Sequence, residues 1–137
     1  MLQAYSKNVT VEANSAIPLN NISIAKGCTA TTSGTSSISF NKKGIYQVSV
    51  NASAIASVAG VIQFQLSQNG VLLPEAFAFE TAEDATGAHS LSFSTLVQVT
   101  EDNCNCDCGS KQNIINIVNN GVAATYSLLN VIVTKHC

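Results

Sequence analysis

Tryptophan is absent, methionine occurs once, and charged residues make up only 10% of the 137 positions, where a soluble domain usually carries about 25%. Much of the surface must then be neutral. Copies of the chain covering one another would explain such a surface, so oligomerisation is expected. The six Lys and Arg form no cluster and the formal net charge is −2, which argues against nucleic acid or an anionic membrane as partner, since both need a basic footprint. The longest apolar run falls far short of a membrane span. Met1-Leu2-Gln3-Ala4-Tyr5-Ser6 lacks the basic start and apolar core of a cleavable export signal. No stretch spaces apolar residues at helical intervals over three turns, so the class is all-β. At this length a single domain, 1–137, can bury an adequate core without staples.

What is present is strand after strand. In Ser39 to Ala54, Tyr46, Val48, Val50, Ala52 and Ala54 fall on one face and Gln47, Ser49, Asn51 and Ser53 on the other, the two-residue period of a half-buried strand. A first strand is expected from Ala4 to Glu12 with Val9 and Val11 inward, then short extended pieces at Ile17-Pro18-Leu19 and Ile22-Ser23-Ile24. Ser33 to Ser37 reads as a loop. Val61 to Gln68 alternates and runs into Asn69-Gly70, a strong hairpin signal. Val71 to Glu80 contains Pro74, which suits an edge. Glu80 to Gly87 is expected to be an acidic loop. Leu91 to Val99 and Gln112 to Val118 are further strands, Asn119-Asn120-Gly121 a turn, and Ala123 to His136 one bent strand or two. That last segment has Leu129, Val131 and Val133 on one side and Leu128 and Ile132 on the other; a strand apolar on both sides is expected to be covered on both. Short strands with Gly and Asn turns mean a β-sandwich or jelly roll. The lack of Trp and the long Cys28 to Cys104 separation weaken an immunoglobulin alternative.

The spacing Phe40, Gly44, Tyr46, Val48 resembles the central signature of the globular heads of complement first-component q and tumour necrosis factor relatives. It is most similar to the bacterial branch at the tips of collagen-like spore-surface glycoproteins and in Firmicute phage proteins. The likeness covers about Ala16 to Lys135, including Phe64, Leu66, Asn69-Gly70 and the apolar closing strand. It implies a jelly roll of about eight to ten strands that assembles as a homotrimer, with Tyr46 near the core and the closing strand against the threefold axis. Tyr126, Leu128, Leu129, Val131 and Val133 are the interface candidates.

The Cys-rich insertion Glu101 to Ser110, with Cys104, Cys106 and Cys108, is the segment that the resemblance leaves unexplained. Three thiols could serve a soft metal. Alternate spacing on an extended chain sends them to opposite faces, however, and a second pair is missing. Asn103, Asn105 and Asp107 imitate a calcium loop, but its Gly comes one residue late and Ile114 stands at the twelfth position. Disulfide bonding is the preferred reading for the five cysteines, Cys28, Cys104, Cys106, Cys108 and Cys137. An odd count leaves at least one sulfur free or joined to another chain, and Cys137 is the natural candidate. The topology implied by the resemblance puts two strands after the Asn119 turn, which separates Cys137 from the insertion and favours Cys28 as the intrachain partner.

Catalysis finds no footing. His89 and His136 flank strands without a nucleophile in a recognisable frame, and no Gly-x-Ser-x-Gly elbow occurs. Glu80, Glu83 and Asp84 could be a glycosidase acid pair, but a solvated loop explains them equally, and no Trp or Tyr cluster offers a sugar-stacking platform. Asn8, Asn21 and Asn51 begin N-x-Ser/Thr triplets that read as chance in so Asn- and Ser-rich a chain. The expected function is a non-enzymatic module that displays or builds a spore or virion surface, without cofactor. The alternatives are a receptor- or glycan-binding tip of a phage fibre or bacterial appendage, and a metal-holding Cys loop on a structural trimer. Either a longer exported protein or assembly inside a cell followed by lysis would bring it to such a surface.

Overall fold

A computed structural model describes residues 1–26, 30–33, 35–100 and 113–135. Its strands are β1 (Leu2–Val11), β2 (Ser15–Ala16), β3 (Asn21–Ala25), β4 (Ala30–Ser33), β5 (Ser37–Phe40), β6 (Gly44–Ala56), β7 (Gly60–Gln68), β8 (Val71–Ala82), β9 (Ala88–Val99), β10 (Asn113–Asn119) and β11 (Ala124–Lys135). They form two sheets, ordered β3-β1-β11-β6-β9 and β4-β5-β10-β7-β8, with β2 added on β10. The chain crosses repeatedly between the sheets, as a jelly roll requires.

The alternation read from Tyr46 to Ala54 is the alternation found. Tyr46, Val48, Val50, Ala52 and Ala54 are buried, and Gln47, Ser49 and Ser53 are not. Asn69 and Gly70, at φ of 52° and 85°, close the β7–β8 hairpin with the two left-handed residues of a type I′ turn. Pro74 lies in β8, which is an edge strand, where a missing N–H removes no ladder bond. Several boundaries differ from expectation: β1 starts at Leu2 rather than Ala4, β9 at Ala88 rather than Leu91, and Ile17-Pro18-Leu19 is not part of a strand. Ala30–Ser33, to which the sequence pattern assigns no strand, forms β4 and pairs with Ser37–Phe40, so the expected loop at Ser33 shortens; pairing along a sheet edge requires no apolar period. The acidic loop begins only after Ala82. Ala124–Lys135 is one strand with a register shift between Tyr126 and Leu128, so the chain returns to the end from which β10 started.

The two sheets share one apolar core. Phe40 meets Tyr46 with ring centroids 4.4 Å apart, and Phe64 lies 5.7 Å from Phe93 and 6.2 Å from Tyr126. Each of the two buried phenols finds a partner, as a buried hydroxyl must. Tyr46 Oη donates to the Lys42 carbonyl at 2.7 Å, and Tyr126 Oη donates to Asn119 Oδ1 at 2.9 Å. Asn119 Nδ2 reaches the carbonyls of Val11, Glu12 and Val122 at 3.1–3.2 Å. One buried amide thus ties the ends of β1, β10 and the turn before β11. Burial pushes the Tyr126 phenol up from its ordinary pKa.

Candidate interaction surfaces

On β8 the small residues Ala76, Ala78 and Ala82 face inward, while Phe77 and Phe79 face out at 39% and 59% exposure. The two rings stack, with centroids 5.9 Å apart and planes 18° from parallel. Phe77 stands opposite Gln65 and Phe79 opposite Gln63 on β7, so the aromatic pair is bordered by amides. Gln65 is held in place: its Nε2 donates to the Leu73 carbonyl and its Oε1 accepts from Asn120 Nδ2, both at 2.7 Å. The sequence signal for this pair lies in the alternation Ala76-Phe77-Ala78-Phe79, which puts bulk on one face and small residues on the other. The absence of Trp and of a Tyr cluster does not reveal it.

At the far edge of the other sheet, Ile22 and Ile24 of β3 are exposed. Between the two edges lies the outer face of β11, β6 and β9, and it is mostly polar. Ser49 and Ser94 share a hydroxyl contact at 3.1 Å, Gln47 Nε2 donates to Ser94 Oγ at 3.1 Å, and Gln3 Nε2 donates to Asn130 Oδ1 at 3.1 Å. A shallow depression of about 290 Å³ is lined by Asn51, Ser53, Ser90, Ser92 and Leu128, among others. Leu96 and Leu128 interrupt the polar field at 60% and 41% exposure.

Of the five residues expected at an interface, Tyr126, Leu129, Val131 and Val133 are fully buried in the protomer's own core, and Leu128 alone is exposed. The physical reason is alternation. β11 sits in the centre of its sheet, so its larger apolar set covers the opposite sheet of the same chain and cannot also meet a neighbour.

Cys28, Cys104, Cys106, Cys108 and Cys137 lie outside the described residues, as do the Glu101 to Ser110 insertion and His136. The described residues that flank their segments gather at one pole. Lys26 and Met1 exchange backbone hydrogen bonds at 2.9 Å, Leu2 pairs with Val133, and Lys135 pairs with Tyr46. Phe40 joins Ala30 and Asn113 in the second sheet. Thr100 and Lys135 line one open cleft of about 510 Å³ with Lys43, Gln98 and neighbouring backbone. The expected separation of Cys137's strand end from the insertion's flanks is therefore replaced by proximity, because one strand, not two, follows the Asn119 turn.

The remaining candidates do not converge on a reaction centre. His89 Nδ1 lies 3.9 Å from Glu80 Oε1. Asp84 Oδ1 accepts from the Thr86 backbone N–H at 3.0 Å and from its hydroxyl at 2.8 Å. The Thr86 N–H first, and then its hydroxyl, hold the Asp84 carboxyl below the usual carboxylate range. Among the described residues no three His, Cys, Asp or Glu side chains gather where a metal could sit, and no helix is long and apolar enough to cross a membrane.

No protein-family model matches this chain, and no curated protein does. Solved structures do. Eiger TNF from S. frugiperda aligns with a TM-score of 0.69 at 11% identity, over 99% of this chain and 92% of that one. PRD1 vertex protein P5 aligns at 0.63 and 14% identity, over 99% and 96%. The globular domain of zebrafish complement 1qA aligns at 0.61 and 10% identity, over 95% and 90%. At such identities the likeness establishes the fold, a TNF and C1q-like jelly roll.

Proposed function

We infer that the chain is a single non-enzymatic jelly-roll module, 1–137, that assembles as a homotrimer and builds or displays part of a spore or virion surface. The observation that carries this is the pair of apolar edges, Phe77 and Phe79 on β8 and Ile22 and Ile24 on β3. Two different patches at opposite edges of one chain favour head-to-tail contact, and such contact ends only when the ring closes. Closure at three follows the resemblance to the TNF and complement heads. Leu128 and Leu96 add apolar points to the face between the edges, in a field of hydroxyls and amides suited to a hydrated contact. Low charge and the similarity to a vertex protein support a role in a larger surface assembly. The bacterial spore-surface branch is the preferred relative on the Phe40, Gly44, Tyr46 spacing.

The gathering of the flanking residues at one pole supports disulfide bonding among Cys28, Cys104, Cys106, Cys108 and Cys137 in an oxidising setting. A second reading, a receptor- or glycan-binding tip, is favoured by the stacked Phe pair beside Gln63, since flat rings bordered by amides suit the apolar face and hydroxyls of a sugar. Substituting both rings, Phe77→Ser with Phe79→Ser, separates the two. Loss of the trimer with retained fold supports the assembly reading. A retained trimer that loses binding on a glycan array favours the tip reading. Peptide mapping without reductant tests the cysteines: five free thiols, or stoichiometric zinc protecting the insertion from alkylation, would replace the disulfides with the metal alternative.

A further inference from the structure

The chain contains two Asn-Gly pairs, Asn69-Gly70 and Asn120-Gly121, and the fold treats them in opposite ways. We propose that Asn69 is a site of spontaneous deamidation, poised by the β7–β8 turn, and that Asn120 is protected. In this reaction the Gly70 backbone nitrogen attacks the Asn69 side-chain carbonyl carbon and gives its proton to water. The side-chain nitrogen takes up a proton from water, its bond to that carbon breaks and ammonia leaves. The resulting cyclic imide is opened by water to aspartate or to its β-linked isomer. Water is the sole co-reactant, and nothing is oxidised or reduced.

Three features favour Asn69. The Ile114 backbone N–H donates to Asn69 Oδ1 at 2.9 Å, and the developing negative charge of the attack falls on that oxygen; a fixed donor there stabilises it as an oxyanion donor does. Gly70 is exposed, has nothing within 4 Å of the position a Cβ would take, and its amide makes no hydrogen bond among the described residues. No hydrogen bond among the described residues holds the Asn69 side-chain nitrogen, so ammonia can depart.

Each of these is reversed at Asn120. Its Oδ1 is buried without a donor among the described residues. Its Nδ2, the leaving nitrogen, donates to Gln65 Oε1 at 2.7 Å. The Gly121 nitrogen, which would have to attack, donates to the Gln63 carbonyl at 3.2 Å, and Gly121 packs directly against the Val61 carbonyl.

Conversion would place a negative charge at the apex of the β7–β8 hairpin, and the β-linked isomer would add a backbone atom to a turn clamped to Ile114 through both Asn69 N and Asn69 Oδ1. A long-lived surface assembly would therefore accumulate a dated chemical mark at one pole.

The test is incubation of the folded protein at mildly alkaline pH and body temperature, followed by tandem mass spectrometry that localises the amide-to-acid mass gain. The same chain unfolded in urea serves as reference, where both pairs should convert at similar rates. In the folded protein Asn69 should convert faster than Asn120 by about tenfold or more, the factor given by a barrier difference of about 1.4 kcal/mol. Gly70→Ala should slow Asn69 in folded and unfolded chains alike, because the added methyl shields the attacking nitrogen. Equal rates at the two sites in the folded protein, or faster conversion at Asn120, would overturn the proposal.

Discussion

β11 and β8 are both 12 residues long and have opposite sidedness. β11 sits in mid-sheet and turns Tyr126, Leu129, Val131 and Val133 inward. β8 is an edge, and it turns Ala76, Ala78 and Ala82 inward and Phe77 and Phe79 outward. A central strand can use its bulk to fill the space between sheets. On β8 small residues meet the core and the large ones stay outside, open to another surface. More large apolar side chains therefore stand exposed on β8, where Val71, Leu72, Phe77 and Phe79 do, than on β11, where Leu128 alone does.

The contrast is broken most severely from inside. Val131→Lys should unfold the protomer, since an unpaired buried charge costs about 3–5 kcal/mol, and thermal unfolding should show the loss even in dilute, dissociated protein. Leu128→Lys, one strand face away, should leave the thermal transition of the dissociated protomer nearly unchanged. From outside, Phe77→Ser with Phe79→Ser should keep the circular dichroism of the wild type while shifting it toward monomer in sedimentation.

pH sharpens the inside more gently. The folded pKa of Tyr126 is raised by burial above its unfolded value of about 10, so the folded state binds the phenolic proton longer. Stability should be unaffected below that pH and decline as pH rises beyond it. Tyr126→Phe should flatten this alkaline decline while costing about 1–2 kcal/mol at neutral pH, because Asn119 Oδ1 loses its donor. The smallest effect belongs to Asp84, whose folded pKa is lowered. Its contribution is present above the ordinary carboxylate pKa and is lost as pH falls through the lowered value. Asp84 is fully exposed, so Asp84→Asn should alter only the acid limb of a stability profile, and only slightly.

The strands are largely legible in the sequence because alternation is a local property. Tyr46 to Ala54 and Asn69-Gly70 each carry their structure in consecutive residues. Sidedness is not legible for β11, because Leu128 and Ile132 against Leu129, Val131 and Val133 look equally apolar until a second sheet decides which set is inside. β4 escapes notice since Thr31, Thr32 and Ser33 have no apolar period, and their pairing with β5 is a tertiary fact. Asn119 reads as part of a turn; its role in joining β1, β10 and Tyr126 depends on contacts more than a hundred residues apart in sequence. The Phe77 and Phe79 patch is written in the alternation of Ala and Phe, but its exposure depends on the outer face of the β7–β8 hairpin, which none of the described residues covers.

Native mass spectrometry of the wild-type protein at micromolar concentration, paired with sedimentation, tests self-association through these edges most directly. A trimer that survives treatment with reductant and dissociates when Phe77 and Phe79 are replaced is the predicted result. A well-behaved wild-type monomer, with both rings solvated, would contradict it.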